Sequence, residues 1–551
     1  MVQQRLFNPL KVLTRMRLRF QMLIILSFAP LLLGAQNLQL SSQLSFGSFD
    51  WDELIDIIET PDGGYLLCGI SNGQATGDKT SPTFGTQGDP DIWVLKIDNS
   101  GTILWQKTYG GSSAEIMSSI YPTHDGNFII ASASNSNNIG EGNKTAPRIG
   151  GFDFWILKID PIGDIIWQET YGGSFEEEEN QVLLNTDGGF IVSTDSQSDI
   201  SGNRQLPLKG TKDIWVLFLD SNGTYQKELA FGGSQFNSGA GLSRNQNTLF
   251  ISGVSDSPQS IDKSEDSYGE TDYWVLKTDL DGNVLADKTI GGSKSDAAMG
   301  HVTDFEGNII VYGWSKSIPS GNKTAPWRGG ADYWLVKLDT NLNIIWDKSF
   351  GGSNDDKPWL SSNSGIHSLY HNMTLISGNS SSSNGDKTSP NYGQDDFWVI
   401  GVDKDGNKVL EFSMGGTEEE AAKGIYENST HQIMVYGRSE SDVSGNKTTT
   451  SQGGNDFWMV TLDLLLNVTK VENAELNVFP NPTSSVLNFS IPFPNQEVKI
   501  ELVDILGRKH FRSISNGKNA GQVDVTRFSS GTYFLNISGD NFQFSRQIII
   551  Q

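Results

Sequence analysis

Asp153-Phe-Trp-Ile-Leu-Lys-Ile-Asp160, a turn at Pro161-Ile-Gly-Asp164, then Ile165-Ile-Trp-Gln-Glu-Thr-Tyr-Gly-Gly-Ser174: here two short apolar runs alternate with period two on either side of turn residues. Side chains two apart point to one side of a strand, so Trp155, Leu157 and Ile159 share a face, as do Ile165 and Trp167 on the next run. Two similar runs precede them, at 116–121 and 127–133, joined by the hairpin signal Asp125-Gly126. The result is a four-stranded unit. Its marker, Asp-x-Trp before an apolar strand, recurs at Asp91, Asp153, Asp213, Asp272, Asp332, Asp396 and Asp456, with tryptophan spacings of 62, 60, 59, 60, 64 and 60. Repetition of one supersecondary unit at that period predicts a β-propeller with the Trp buried between neighbouring sheets. Burying one such ring removes about 200 Å² from water, an upper bound of roughly 5 kcal/mol.

The seventh unit stops after its third strand, at 457–463, and residues 38–46 read as a strand with no unit of its own. A ring closed by that strand uses both loose ends; an open solenoid of the same repeats is the alternative. The fold class expected is all-β: a seven-bladed propeller over 36–466, closed by the N-terminal strand, then a linker over 467–476 and a small Ig-like β-sandwich over 477–551.

Composition excludes several classes. The chain has 551 residues with 60 Gly, 14 Trp and 1 Cys, which does not suit a helical bundle, a disulfide framework or a Cys-rich zinc site. Its 65 acids against 40 bases, net -25, argue against nucleic acid or an anionic membrane as partner.

The termini differ from the middle. Residues 1–35 carry Arg5, Lys11, Arg15, Arg17 and Arg19 and no acid, then an apolar run over 23–33 and Gly34-Ala35-Gln36. This is the pattern of a signal peptide cleaved after Ala35, with Met16 an alternative start. No later stretch approaches the length of a membrane span, so none is expected in the mature chain. The tail opens with Asn477-Val-Phe-Pro480-Asn481-Pro482-Thr483 and continues through Asp504-Ile-Leu-Gly507, Gly531-Thr-Tyr533-Phe and a final apolar strand. These elements resemble the type A C-terminal sorting domain of the type IX secretion system of Bacteroidetes. The resemblance implies the secretion machinery as partner and passage to the extracellular or outer-membrane surface of a Gram-negative cell. In that family the domain is usually removed and the cargo released or anchored to surface lipopolysaccharide. Without these ends, 59 acids face 28 bases, so the repeats are more acidic than the whole.

If the strands alternate in direction, the long second-to-third loop and the sheet-to-sheet crossing share a face, where function usually gathers. Two patterns fall there. The loop sequence Gly-Asn/Asp-Lys-Thr or a variant places Lys79, Lys144, Arg204, Lys263, Lys323, Lys387 and Lys447 11 residues before the Trp in six units and 14 in the first. These bases are candidate ligand contacts, or else pair with an acid of a neighbouring unit. Trp327 and Tyr392 on the same loops are candidate platforms for sugar rings. After Gly-Gly-Ser/Thr come Glu115, Glu177, Asp296, Asp356 and Glu420. Carboxylates gathered at a central mouth suit Ca²⁺, which takes 6–8 oxygen ligands; the alternative is that each caps backbone NH groups. No other cofactor is expected.

Catalytic signals are weak. The sequence has 6 His and lacks both a His-Glu-x-x-His site and a nucleophile elbow in the required context. The hairpin Ile97-Asp-Asn-Ser-Gly-Thr-Ile-Leu-Trp105 resembles the repeat of pyrroloquinoline-quinone dehydrogenases with a turn one residue shorter, but Cys68 stands alone where those enzymes often use adjacent cysteines. It is also similar to the sialidase Asp box, with both spacings one residue too long. The repeat as a whole resembles propeller-like repeats of exported Bacteroidetes proteins. The expected function is a secreted binding or adhesion module for a polysaccharide or surface protein. A polysaccharide hydrolase or lyase and a passive structural component are the alternatives, and the fourth unit, whose loop departs most, is the first place to look for catalysis.

Overall fold

The structure, a computed structural model, describes the chain except residues 1–36, 86–87, 138–141, 186, 359–362, 370–372, 466–476, 491–496, 505–508, 517–519 and 540–541. The signal segment with Ala35, the linker and Gly507 therefore lie outside the described residues. Two compact units divide the rest, Ala35–Leu466 and, in the other, Asn467–Gln551. Apart from the 3-10 turn Asn363–Gly365, every described element is a β-strand.

The first unit consists of antiparallel sheets of four strands each, taken mostly in chain order. The second sheet is typical: Glu115–Pro122, Phe128–Ser134, Asp153–Ile159 and Ile165–Tyr171. The last repeat contributes Glu420–Glu427, Ile433–Ser439 and Asp456–Leu465, and its fourth strand is Asn37–Phe46, paired with Ser45 opposite Trp458 and Phe46 opposite Phe457. The sixth sheet alone carries a fifth, short strand, Ile366–Leu369. The architecture is all-β and propeller-like.

Hydrophobic cores lie between sheets rather than within them. Trp155 heads a core shared by the first and second sheets, Trp215 by the second and third, and so on to Trp458 between the sixth and seventh. Trp93 closes the series, packed with Phe457, Met459 and Tyr436 of the seventh sheet. The variable residue of Asp-x-Trp is aromatic in five of the seven units and packs against the next sheet's Trp, tilted in Phe397–Trp458 (4.7 Å) and Tyr273–Trp334 (4.7 Å) and stacked in Tyr333–Trp398 (5.0 Å).

One expectation of the period-two rule fails. Trp155, Leu157 and Ile159 do share a core, but Trp167 leaves the face of Ile165 and joins the core with the third sheet. Ladder pairs run from Ile159–Ile165 directly to Lys158–Trp167, so Ile166 forms a bulge that flips everything beyond it. The flipped Trp lies over Gly223 of the next sheet's turn, where a Cβ would come within 2.6 Å of the ring.

The second unit has a three-stranded sheet, Asn477–Phe479, Val486–Ser490 and Ala520–Asp524, and a four-stranded one, Lys509–Asn516, Glu497–Asp504, Gly531–Gly539 and Phe542–Ile550. Leu487, Phe489, Val523, Leu502, Leu535 and Ile548 from both sheets form its core. Asn481 clasps the last strand, accepting from Ile549 N and donating to Gln547 O, both at 2.8 Å. Tyr533 is buried, and its hydroxyl donates to Ser529 O at 3.0 Å.

Candidate functional site

The loop bases expected to meet ligand do not reach solvent. Lys79, Lys144, Arg204, Lys263, Lys323, Lys387 and Lys447 are 1–3 % exposed. Five sit over the Trp of their own sheet, from 4.5 Å for Lys323–Trp334 to 5.9 Å for Lys447–Trp458. Their nitrogens donate to hydroxyls and carbonyls of the same sheet, such as Ser71 (Lys79, 2.8 Å), Ala146 O (Lys144, 2.8 Å) and Ser349 (Lys323, 2.7 Å). Burial holds Lys79, Lys144 and Lys323 down at about 8, against the pull of flanking carboxylates. The loop itself is pinned by one recurring bond. The NH of the residue after the base donates to a fourth-strand carboxamide or carboxylate: Thr80 to Gln106, Thr145 to Gln168, Ser264 to Asp287. In the seventh sheet Thr448 N donates to Gln43, 405 positions away, at 2.9 Å. Lys323→Met, which strips the buried base from Asp296 and Asp332, is expected to cost about 3 kcal/mol, read from the urea midpoint.

The acids after Gly-Gly-Ser/Thr are likewise turned into the protein. Glu115, Glu177, Asp296, Asp356 and Glu420 are fully buried at the starts of the first strands. Each accepts from the second glycine NH, at 3.2, 2.9, 2.7, 2.7 and 2.8 Å in that order. Serine hydroxyls add further bonds, such as Ser134–Glu115 and Ser439–Glu420. In the structure these carboxylates cap backbone NH groups, and among the described residues no group of three His, Cys, Asp or Glu is placed to hold a metal ion. Facing each acid across the sheet junction is the marker Asp, whose carboxylate caps the loop four residues earlier, as Asp332 does Arg328 N and Asp396 does Tyr392 N. Burial first, and a facing carboxylate second, raise these acids: Asp272, Asp396 and Asp456 to about 6, Asp332 to about 7.

The loop aromatics also serve packing. Tyr392 is half-buried, lying where a Cβ on Gly445 of the seventh sheet would come within 2.9 Å. Trp327 stays 44 % exposed, its Nε1 donating to Gly330 O. The residue at the Tyr392 position meets the next sheet's Gly-Asn/Asp turn. Two of the three turns that carry Asp face a base there, Asp262 with Lys209 and Asp386 with Arg328, the latter at 2.7 Å, whereas Gln452 stands beside the turn of Asp78. Sequence reasoning missed this correlation, although it could have been read by aligning each unit against the next.

Departures from the repeat point elsewhere. First strands carry a bulge at one shared place, between Leu54 and Asp56, Ala298 and Gly300, Ala422 and Gly424. In the sixth sheet the strand breaks there after Asp356–Lys357 and resumes at Ile366–Leu369, with Asn363–Gly365 between. The sixth sheet, not the fourth, is the irregular one. The fourth keeps its geometry even though Ile261, at φ 52°, stands where Gly202 and Gly321 adopt the same left-handed backbone. Beside the resumed strand, Glu427 accepts from His431 Nδ1 at 2.7 Å and lies 3.3 Å from His367 Nε2.

A cavity of about 430 Å³ opens among the first-to-second strand turns of the seventh, first and second sheets. Pro61, Pro122, Phe128 and Tyr426 wall it; Thr60, Thr123, Asn127 and Ser429 supply polar groups. At its rim Glu59 accepts from Ser429 N at 2.7 Å and Oγ at 2.6 Å, tying the first sheet to the seventh. Such a volume falls in the range of ligand sites. The cavity lies on the short-turn side, opposite to the expected loop face.

Among solved structures, the chain is similar to a protein of unknown function from Dyadobacter fermentans (9 % identity, 78 % of this chain and 99 % of that, TM-score 0.39). It is also similar to a polysaccharide lyase described as an ulvan lyase (10 %, 75 % and 97 %, TM-score 0.37) and the Neurospora crassa Pan2 WD40 domain (11 %, 62 % and 92 %, TM-score 0.31). Likenesses of this order carry no functional argument. No curated protein matches the chain. Among the described residues no helix is long and apolar enough to cross a membrane. Residues 477–551 match the Secretion system C-terminal sorting domain family, which marks the chain for export by the type IX secretion system to the cell surface or the extracellular space.

Proposed function

We propose that the first unit is a closed seven-bladed propeller serving as an extracellular binding module of a Bacteroidetes cell, its ligand a polysaccharide taken at the Tyr426 cavity. The cyclic order of inter-sheet cores supports the ring, and two sheets packed on one core support an Ig-like sorting domain. The observation that carries the ligand class is the cavity's make-up. Proline and aromatic walls suit the apolar face of a sugar ring, while threonine, asparagine and serine groups suit its hydroxyls. A larger cleft of about 830 Å³ over Ser260–Ser264 and Val284–Asp287 has no proline or aromatic wall, which favours the Tyr426 cavity for a sugar ring. A glycan array read with the intact chain and with Tyr426→Ala tests it: the intact chain should retain a glycan unchanged, and the variant should bind at least about tenfold more weakly, the loss of one stacking contact of roughly 1.4 kcal/mol. Equal retention by the variant would remove the cavity from the reading, and release of a cleaved product would make the protein an enzyme.

A further inference from the structure

At the junction of one sheet with the next, two carboxyl groups converge on the first glycine of Gly-Gly. A Cβ built on Gly110 would lie 1.9 Å from Asp91 Oδ1 and 2.4 Å from Glu115 Oε2; at Gly351 the figures are 2.2 Å to Asp332 and 3.0 Å to Asp356; at Gly415, 2.0 Å to Asp396 and 2.7 Å to Glu420. All six carboxyls are buried, and Oδ1 of Asp91, Asp332 and Asp396 has no hydrogen-bond partner. Charge counting shows the difficulty. Where a sheet supplies one buried base to two buried acids, full ionisation leaves the junction with an uncompensated negative charge away from water, a costly state. The bases that face these pairs are Lys79 and Lys144 for the first, Lys323, Lys387 and Arg328 for the second, and Lys387 and Lys447 for the third, where Asp395 adds a further negative charge.

The chain contains its own control. In the fourth sheet Asn237 replaces the acid; opposite it, Asp213 pairs with Arg204 at 3.3 Å and both Asp213 oxygens accept hydrogen bonds. That junction is neutral without a proton, and no oxygen is orphaned.

We propose that the junctions whose marker Asp has an orphaned Oδ1, those of Asp91, Asp332 and Asp396 among them, are each closed by one proton shared between the facing carboxyls, so that the sheets are held together by acid pairs that loosen as pH rises; Asp153, both of whose oxygens accept from the Ile149 and Gly150 NH groups, stands outside the set. A shared proton supplies the missing donor to the orphaned Oδ1 and removes the surplus charge. A proton bound by the folded state and not by the unfolded one stabilises fully below the carboxyls' ordinary range, and that stability is lost as pH rises through the folded values of about 6 to 7.

The test is thermal melting of the full chain between about pH 5 and about pH 8, with and without Asp356→Asn, which copies Asn237 of the junction between the third and fourth sheets. The melting temperature of the unaltered chain should fall across the range, and the variant should be the more stable at the upper end, with the slope of log K for unfolding against pH reduced by up to about one proton. Independently of any variant, the infrared spectrum of the unaltered chain should show a protonated carboxyl stretch near neutral pH that fades with further alkali. A flat or rising melting profile, or no protonated carboxyl band, would overturn the proposal. So would stabilisation by millimolar Ca²⁺ at about pH 8, which would put a cation in the place of the proton.

Discussion

Deletion of residues 37–46 should turn the cooperative melting of the first unit into a broad transition at much lower temperature. The strand is the seventh sheet's fourth, pairing with Asp456–Leu465 along its length apart from one register shift between Leu40 and Ser42. It buries Leu38 and Phe46 and packs Leu40 and Leu44 partly into two cores. At about 1.5–3 kcal/mol for each fully buried side chain, the apolar loss alone is on the order of 5 kcal/mol. Gln43 adds the anchor for the seventh loop, accepting from Thr448 N and donating to Asn446 O. The sum approaches the whole stability of a typical folded chain. Strand loss also removes Phe46 and Leu44 from the core shared by the seventh and first sheets. Differential scanning calorimetry reads the effect, and a synthetic peptide of residues 37–46 added in trans should restore part of the transition. An unchanged transition in the deleted chain would mean that the strand does not close the unit.

Trp334→Ala should cost about 4 kcal/mol, among the largest single losses open to this chain. The ring is fully buried in the core shared by the fourth and fifth sheets, with Tyr273 4.7 Å away and the Lys323 ammonium 4.5 Å from its centroid. Its Nε1 donates to Asp347 at 3.1 Å, and the same carboxylate holds the loop through Thr324 N and Ala325 N. Truncation therefore empties a cavity, deprives the cation of its aromatic face and loosens the loop clasp. Urea denaturation followed by far-ultraviolet circular dichroism gives the number. Trp327→Ala, at an exposed position, should change stability by less than about 0.5 kcal/mol, which separates the buried marker Trp from the loop Trp.

Much of this fold was legible because period-two alternation and recurrence of a marker are local properties. The second repeat's strands could be placed within about a residue of Phe128–Ser134 and Asp153–Ile159, and the orphan strand at the N-terminus could be matched to the unit that lacked one. Export was legible too, since Asn481 and Tyr533 sit in a tail whose pattern is continuous in the chain. Exposure was not. Lys323 in a polar loop reads as a solvated base, yet it is buried against a Trp eleven residues on, and nothing in Gly-Asn-Lys-Thr says whether the loop folds inward. The acids misled for the same reason: Glu115 reads as a free carboxylate beside a turn and is a cap for Gly111 NH.

The sequence by itself determined the unit, its repetition, the strand that completes the last copy and the address at the C-terminus, all of which follow from side-chain periodicity and motif spacing along one chain. Only the tertiary structure decided which polar residues are buried, where a bulge sends Trp167, that the sixth sheet breaks its first strand, and that a ligand-sized cleft lies among the short turns. Those depend on what the neighbouring sheet, about 60 residues away in the chain, places opposite each side chain; burial and charge pairing are properties of that junction and of neither sheet alone.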